Sequence, residues 1–421
     1  MLRIILAYFA NLSIDTTEGP EYNRGMVPVA VGEAQPEGEQ APAGIILRKA
    51  FVYRLYPTKK QALALDHQLS EARRLYNAAL QERRDAWRNG VSLNYYDQAN
   101  QLREIRAAGD LGLANYHACQ DVLRRVDKAF RAFFRRVKAG QKAGYPRFKA
   151  RDRFDSFTFP AYGDGARLKE GRLYIQNVGK IKVKLHRPLH GEVKTLTLKQ
   201  ACGKWYAVFS CDLGPAPGLR PGSRAVGIDM GLESFATLSD GRTIPNPRYL
   251  DGAARLLAER QRRLSGKVRG SRRRRKARLL VARAHVRVRN QRRDFAHKKA
   301  RELVRKYDLI AFEDLNISGM VRNHCLAKAI SDASWGQFIG ILRHKAEEAG
   351  VAAIPVDPRG TSQRCSGCGE IVPKDLGDRL HVCPACGLVL HRDLNAARNI
   401  LALGLSAQGN ALRSRLLQLA E

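Results

Sequence analysis

The stretch Arg224-Ala-Val-Gly-Ile-Asp229-Met-Gly231-Leu-Glu-Ser-Phe-Ala-Thr-Leu-Ser-Asp240-Gly241 decides the fold of the second half of this chain. Its apolar residues predict a buried strand that ends in Asp229, a glycine at which the chain turns, and a second strand that closes in an Asp-Gly hairpin turn. A carboxylate at the end of a buried strand is held rigidly while its oxygens face solvent. Such a carboxylate is well placed to bind a metal ion.

Two further carboxylates stand at comparable positions. Glu313 ends the apolar run Tyr307-Asp-Leu-Ile-Ala-Phe-Glu313, and Asp393 lies at the start of a predicted helix. Alone, the Asp229 motif would also fit the phosphate-binding hairpin of actin-like ATPases or a plain strand-turn-strand. Together, a strand-end Asp, a strand-end Glu and a helical Asp are what an RNase H-like fold uses to hold two divalent ions that cleave a phosphodiester. We therefore predict a catalytic centre at Asp229, Glu313 and Asp393 with two Mg²⁺ ions.

Four of the eight cysteines form two pairs, Cys365-Ser-Gly-Cys368 and Cys383-Pro-Ala-Cys386, which are separated by 14 residues. Cysteines two residues apart can place both thiolates on one face of a tetrahedral zinc ion. Disulfides are the alternative, but they do not suit a nucleic-acid-handling protein in a reducing compartment. Because four protein ligands leave no open position, the pattern predicts one structural Zn²⁺ and not a catalytic one.

The charge of the chain indicates a polyanionic partner. The 421 residues include 74 Lys and Arg against 40 Asp and Glu, a net charge of +34. Residues 254–306 alone carry 22 basic and three acidic side chains, and their sparse apolar positions predict two long helices that cross a phosphate backbone rather than build a core. A soluble basic protein or one attracted to anionic lipid is the alternative. The predicted nucleic-acid contacts are Arg135, Arg136, Arg272, Arg273, Arg274, Arg275, Lys276, Arg292 and Arg293.

The changing sequence pattern predicts an α+β multidomain protein. An alternating strand begins at residue 45, three helical segments follow, and short strands return before a Gly/Pro-rich linker. No apolar run reaches the roughly 18–20 residues of a membrane span. The expected parts are a disordered extension (1–44), a β-barrel (45–58 and 140–213), an inserted helical lobe (59–139), an RNase H-like nuclease domain (223–360 and 390–403), a zinc ribbon (361–389) and a tail (404–421).

Residues from about 45 to 403 resemble TnpB, the transposon-encoded RNA-guided nucleases related to type V CRISPR effectors. The resemblance rests on the Asp229 motif, Asn290-Gln-Arg-Arg-Asp-Phe-Ala-His297, Phe312-Glu-Asp-Leu-Asn316, Val356-Asp-Pro-Arg-Gly-Thr-Ser-Gln-Arg-Cys365, the two cysteine pairs and Arg392-Asp-Leu-Asn-Ala-Ala397. It implies a wedge barrel with an inserted recognition lobe and a RuvC nuclease domain interrupted by the zinc ribbon. It also implies a noncoding guide RNA from the transposon end, a short flanking DNA motif and cleavage of double-stranded DNA by Asp229, Glu313 and Asp393.

Two other functions stay open at this stage. A guide-dependent DNA-binding repressor of the same fold would be expected to lose catalytic carboxylates, whereas this chain retains all three. A conventional transposase that joins strands also needs three acidic residues, but the order of the motifs and the embedded zinc ribbon disfavour it. We expect a cytoplasmic, nucleoid-associated protein that is a monomer and has no membrane partner.

Overall fold

The structure, a computed structural model, describes residues 46–109, 111–113, 115–375 and 377–418, and side chains as far as residue 409. The expected disordered extension over residues 1–44 lies outside these residues. The chain divides between Pro215 and Ala216 into two compact units. Within the described ranges, no helix combines the length and the apolar character needed to cross a membrane.

The helices of the first unit begin where the sequence supplies capping residues. Strand β1 (Ile46–Tyr56) is followed by α1 (Lys59–Arg88), α2 (Tyr95–Ala107) and α3 (Tyr116–Lys138). Thr58, Asn94 and Asn115 cap the three helices through side-chain oxygens that accept backbone N–H groups of the first turn. Thr58 and Gln61 form a complete capping box. All three predicted helices are confirmed.

The strands of the first unit form one antiparallel sheet that curls into a nearly closed barrel. The sheet has the order β2-β6-β7-β1-β5-β4-β3, and the helical segment is inserted after β1. Aromatic side chains of β1 and β7, including Phe51, Tyr53 and Phe209, fill its core. Strand β3 was not predicted, since its four residues carry two charges. The strands that pair with β1 in this sheet, directly or through their neighbours, are β2 (Ser156–Phe159), β3 (Ala166–Lys169), β4 (Arg172–Ile175), β5 (Gly179–Lys184), β6 (Glu192–Ala201) and β7 (Lys204–Pro215).

The second unit is built on a five-stranded mixed sheet, as an RNase H-like fold requires. Its order is β10-β9-β8-β11-β12, with β11 parallel to both β8 and β12 and the other pairs antiparallel. All five residues of β11 are buried, which explains the unbroken apolar run in the sequence. Gly241, at the predicted Asp-Gly turn, has a φ of 88°. The strands are β8 (Ala225–Met230), β9 (Ser234–Leu238), β10 (Thr243–Pro245), β11 (Leu309–Glu313) and β12 (Ala352–Val356).

The two basic helices differ from the expectation in one respect. Helix α4 (Tyr249–Ser265) has one buried residue, Leu257, and its other residues are half-buried or exposed. Helix α5 (Arg272–Lys306), by contrast, contributes Ala296, Ala300, Leu303 and Val304 to the core of the unit. Their spacing places these four on one helix face, which the charged residues between them concealed. The prediction that neither helix builds a core is therefore wrong for the last three turns of α5.

The remaining elements complete the second unit. Trp335 and Phe338 of α8 belong to the same core as the end of α5. The hairpin β13–β14 lies in the zinc-ribbon region, and α9 continues through residues 404–418, which we expected to be a tail. These elements are α6 (Ile317–Met320), α7 (His324–Ala333), α8 (Trp335–Glu348), β13 (Leu380–Val382), β14 (Val389–His391) and α9 (Arg392–Gln418).

Candidate active site and zinc cluster

Asp229 and Glu313 stand at the same end of neighbouring parallel strands. Ile228 of β8 is paired with Phe312 of β11, so the next residue along each strand is one of the two carboxylates. Glu313 is buried and Asp229 is half-buried. The parallel register therefore places two acidic groups side by side at the carboxyl edge of the sheet, where α/β folds commonly bind their ligands.

Helix α9 brings the third carboxylate to this edge by packing directly on the sheet. A Cβ atom at Gly227 would lie 2.1 Å from the carbonyl oxygen of Ala397, so only glycine permits this approach. In the other direction, a Cβ atom at Gly404 would lie 2.4 Å from the Cβ of Ala311. Asp393 lies about one helical turn before Ala397, and the close contact thereby sets Asp393 beside the strand that carries Asp229.

Glu313 and Asp393 lie close enough to Asp229 to change its pKa. Burial, together with the charges of Glu313 and Asp393, raises the pKa of Asp229 to about 8 against the opposing effect of Arg392. Burial also raises the pKa of Glu313. Among the described residues, only the four cysteines bring three or more ligand atoms within 4.8 Å of one another. The three carboxylates are therefore neighbours whose ligand atoms do not all lie within this distance.

Thr361 holds Glu313 from the side of the loop that follows β12. Its hydroxyl donates a hydrogen bond of 2.7 Å to Glu313 Oε1, which opposes the rise in the pKa of Glu313 that burial causes. The backbone carbonyl of Thr361 in turn accepts a bond of 2.8 Å from Asn399 Nδ2 of α9. One carboxylate oxygen of Glu313 is therefore fixed by the protein.

A second asparagine of α9 joins the same loop to the zinc-ribbon region. Asn395 is fully buried; its Nδ2 donates to the Arg364 carbonyl at 2.7 Å, and its Oδ1 accepts from the Ser366 backbone N–H at 2.8 Å. Asn399 Nδ2 also donates to the Arg364 carbonyl, at 2.7 Å. Two buried side chains of α9 thus secure the segment between Thr361 and the first cysteine pair.

The four predicted zinc ligands are gathered in one place. Cys365 Sγ lies 3.6 Å from Cys386 Sγ, and Cys368 Sγ lies 3.5 Å from Cys383 Sγ. These distances are too long for disulfides, whose sulfur atoms are about 2.05 Å apart. Tetrahedral zinc with Zn–S bonds of about 2.3 Å requires sulfur atoms about 3.8 Å apart. The donor set therefore fits one structural Zn²⁺.

The predicted nucleic-acid contacts are placed in different environments. Arg135, Arg136, Arg293 and four members of the 272–276 run are exposed. Arg274 is half-buried and donates to the carbonyl oxygens of Leu264 and Lys267, at 3.1 and 2.7 Å. Arg274 therefore caps backbone carbonyl groups at the end of α4 and just after it, whether or not it also contacts a phosphate.

Arg292 is engaged within the second unit. Its Nη2 donates to Asp332 Oδ1 at 2.6 Å, and Nε donates to the same oxygen at 2.9 Å. Asp332 is buried and also accepts the backbone N–H of Leu250 at 3.0 Å. Because a buried carboxylate needs this partner, the observed role of Arg292 is to connect α5 with the end of α7, which carries Asp332, and with the start of α4. Its contact with nucleic acid stays a prediction.

Three segments of the chain match known protein families. Residues 209–324 match the family described as "Probable transposase", and residues 335–400 match the one described as "Cas12f1-like, TNB domain". Residues 47–91, which form β1 and α1 here, match the one described as "Helix-turn-helix domain". The second match contains all four cysteines and Asp393, and the first contains Asp229 and Glu313.

Whole-chain comparisons extend these matches. The chain is 29% identical to the E. coli K12 protein named "Putative RNA-guided DNA endonuclease InsQ", over 85% of this chain and 92% of that protein. Its fold resembles that of Cas12f1 solved with guide RNA and target DNA, with a TM-score of 0.55, 13% identity and coverage of 84% of this chain and 98% of the other. A Streptomyces pristinaespiralis protein named "Putative RNA-guided DNA endonuclease" is 34% identical over 87% of this chain and 92% of its own length. Because this similarity extends over most of both proteins, the chain belongs to the TnpB (OrfB) family.

Proposed function

We propose that this protein is an RNA-guided DNA endonuclease of an insertion sequence, which cleaves double-stranded DNA beside a short flanking motif. The observation that carries the proposal is the arrangement of Asp229, Glu313 and Asp393 on two parallel strand ends and one helix. The net charge of +34 supports a nucleic-acid substrate. The names of the relatives agree with this activity.

In this proposal the three carboxylates hold two Mg²⁺ ions. Two bound ions would supply a nucleophile at neutral pH and stabilise the leaving 3′ oxygen of the phosphodiester. Other residues of the chain would position these carboxylates. One oxygen of Glu313 is held by the hydrogen bond from Thr361, and the contact of α9 with Gly227 determines where Asp393 lies. The raised pKa of Asp229 disfavours its charged form until a cation stabilises it.

The rest of the molecule binds and orients the nucleic acids. We assign the barrel and its inserted helices, residues 45–213, to recognition of the guide RNA and the flanking DNA. The exposed arginines of residues 272–275 on α5 would contact phosphates near the nuclease site. The zinc ribbon, residues 361–389, is assigned a structural role because all four of its ligands come from the protein.

A plasmid-cleavage assay tests this proposal. The protein is co-expressed with its native locus, purified with any bound RNA, and given Mg²⁺ and a guide-matched target behind a randomised flank. Asp229→Ala should lower cleavage by about a thousandfold or more, since a metal ligand supports several kcal/mol of transition-state stabilisation. It should retain RNA and target binding. Asp251→Ala, which removes an exposed carboxylate of the same unit, should cleave normally.

The other outcomes separate the alternative functions. Guide-dependent binding by the wild-type protein without cleavage would identify a DNA-binding repressor. Strand joining in the absence of RNA would identify a conventional transposase. Full cleavage by Asp229→Ala would contradict the assignment of the metal site even if the RNA-guided activity were present.

A further inference from the structure

Exposed aromatic rings cluster at the end of α3 and in the segment that follows it. Phe134, Tyr145 and Phe148 are 58%, 41% and 43% exposed, although burial of such side chains is the usual outcome of folding. The guanidinium of Arg84 lies 5.3 Å from the ring centre of Phe148 and 6.0 Å from that of Tyr145. We call these four residues the aromatic shelf.

The shelf is supported from below. Tyr145 meets the buried Phe130 edge-on at 5.5 Å, and Phe133 lies 5.5 Å from Tyr145 and 5.2 Å from Phe134. These aromatic contacts are worth about 0.5–1.5 kcal/mol each beyond the burial of area. They hold the rings of Phe134 and Tyr145 while a substantial part of each stays open to solvent.

The segment that carries Tyr145 and Phe148 is also anchored through its backbone. It forms neither helix nor strand between residues 141 and 150. The side chain of Asn77 on α1 receives the backbone N–H of Lys149 at 2.8 Å and donates to its carbonyl at 3.1 Å. The position of Phe148, next to this anchor, is therefore set by the first unit and does not depend on a bound partner.

The surroundings of the shelf are strongly basic. Residues 124–153 contain 12 Lys and Arg against two Asp, and one of these acidic residues, Asp127, is paired with Arg83 and Arg131. Arg135, Arg136 and Arg147, which neighbour the shelf residues in sequence, are exposed. An apolar protein partner would need no such charge, whereas a polyanion with flat apolar groups matches both features.

We propose that the aromatic shelf stacks unpaired bases of a single-stranded segment of nucleic acid, while the adjacent arginines bind its phosphates. A base pair within a duplex hides its faces in the stack, so the rings can reach only unpaired nucleotides. Stacking on an aromatic ring accepts any base, which suits a protein whose sequence specificity comes from a guide. This inference rests on the proposed function and locates where that function holds an unpaired strand.

The test compares two ligands of equal charge on the full-length protein. One is a 12-nucleotide oligouridine labelled for fluorescence anisotropy, and the other is an abasic oligomer of the same length. About 0.3 M salt reduces binding that depends on phosphates alone. Phe134→Leu and Phe148→Leu, which keep an apolar side chain, should each weaken oligouridine binding by about 5- to 150-fold, the value of one stacked base. Neither should change binding of the abasic oligomer.

Control variants separate stacking from loss of structure or charge. Phe134→Trp should restore oligouridine binding, since indole offers a larger ring. Tyr96→Leu removes a ring that is 72% exposed on α2, outside the shelf, and should leave both affinities unchanged. Arg135→Gln should weaken both oligomers alike and flatten the salt dependence by about 0.7 in slope per phosphate contact.

The outcomes are distinct. The stacking proposal is overturned if the wild type binds the two oligomers equally. It is also overturned if both leucine variants bind oligouridine as the wild type does. Neither result contradicts guided cleavage. Absence of RNA from the purified protein, together with no cleavage, overturns the proposed function instead. A deoxyuridine oligomer of the same length identifies the source, because tighter binding of DNA than of RNA assigns the shelf to an unpaired DNA strand.

Discussion

The cysteine cluster and the carboxylate centre are the two candidate metal sites of the second unit, but the chain assembles them in opposite ways. The cysteines come from two short turns and converge, with all four sulfur atoms within 4.8 Å of one another. The carboxylates come from β8, β11 and α9 and are neighbours without such convergence. A local motif can set the first site, whereas the second depends on the packing of three distant elements.

The two sites are also connected. Asn395 and Asn399 of α9 hold the segment that leads to the first cysteine pair, and Thr361 in that segment bonds to Glu313. Hydrogen bonds therefore connect the zinc-ribbon region with Glu313, which we propose to be catalytic. If the two sites were independent, a defect at the cysteines would leave cleavage untouched, and this can be tested.

The largest effect on the structure is expected from Cys368→Ser. Structural zinc supplies about 10–16 kcal/mol of apparent binding free energy in small zinc domains, so the loss of one thiolate should release the ion and loosen residues 361–386. Zinc content measured by mass spectrometry should fall from one equivalent to near zero, and cleavage should fall more than tenfold. Cys325→Ser removes an exposed cysteine outside the cluster and is the matched control. A zinc-free variant that cleaves at the wild-type rate would show that the sites are independent.

Gly227→Ala should reduce cleavage about a hundredfold, since a displacement of about 1 Å at a catalytic group has this cost. The added methyl would lie 2.1 Å from the Ala397 carbonyl, so α9 must move and carry Asp393 with it. Overpacking of this kind should also cost about 1–3 kcal/mol in the free energy of unfolding. Gly340→Ala, in α8, meets nothing within 4 Å and should cleave normally. Equal activity of the two variants would disprove the positioning role of Gly227.

Thr361→Val should lower cleavage about tenfold, because Glu313 loses a hydrogen bond to a charged group worth roughly 1.5–3 kcal/mol. The bond lowers the pKa of Glu313, so its loss should move the acidic limb of the pH–rate profile to higher pH. Thr361→Ser keeps the hydroxyl and should restore both the rate and the profile. A valine variant with a lower rate and an unshifted profile would indicate that Thr361 serves only to fold the loop.

The sequence allowed much of this comparison to be anticipated, and the exceptions have physical causes. The cysteine spacing alone predicted the cluster, and the three helices predicted for the first unit are confirmed; the structure shows caps at Thr58, Asn94 and Asn115. Strand β3 was missed because four residues, two of them charged, are too few to establish an alternating pattern. The buried face of α5 was missed because polar and charged residues stand between its apolar positions and two of those positions are alanines.

The residues that position the carboxylates were missed for a different reason. Thr361 was noted only within a motif, since a hydroxyl that meets a carboxylate 48 positions away leaves no local pattern. Gly227 did carry a signal, because glycine inside a buried strand often marks a close approach of other backbone. That this backbone belongs to α9 depends on tertiary packing and could not be read from the sequence around Gly227. The three carboxylates remain predictions in their catalytic role.

The smallest effect concerns the stability of the metal-free protein. Asp229 has an ordinary pKa of 3.8 when unfolded and a pKa raised to about 8 when folded, so folding retains a proton that the unfolded chain releases between these values. Stability should therefore fall as the pH rises from about 4 to about 8. Asp229→Asn has no titrating carboxyl at this position, so its stability should not fall with pH for this reason. In EDTA at pH 8 its melting temperature should exceed that of the wild type, by about 2–4 °C for each kcal/mol of stability regained.

The sign of this effect makes the test specific. The advantage of Asp229→Asn should shrink toward pH 5, where the wild-type carboxyl is protonated in the folded state, and added Mg²⁺ should stabilise the wild type more than the variant. Asp251 provides the opposite case, because its hydrogen bond with Lys328 lowers its pKa, so Asp251→Asn should not raise the melting temperature. An asparagine variant at position 229 that is no more stable than the wild type at pH 8 would mean that the carboxylate is solvated in the free protein. In that case, repulsion between the carboxylates would not destabilise the free protein. The carboxylate centre would then differ from the cysteine cluster only in how far apart its ligand atoms lie.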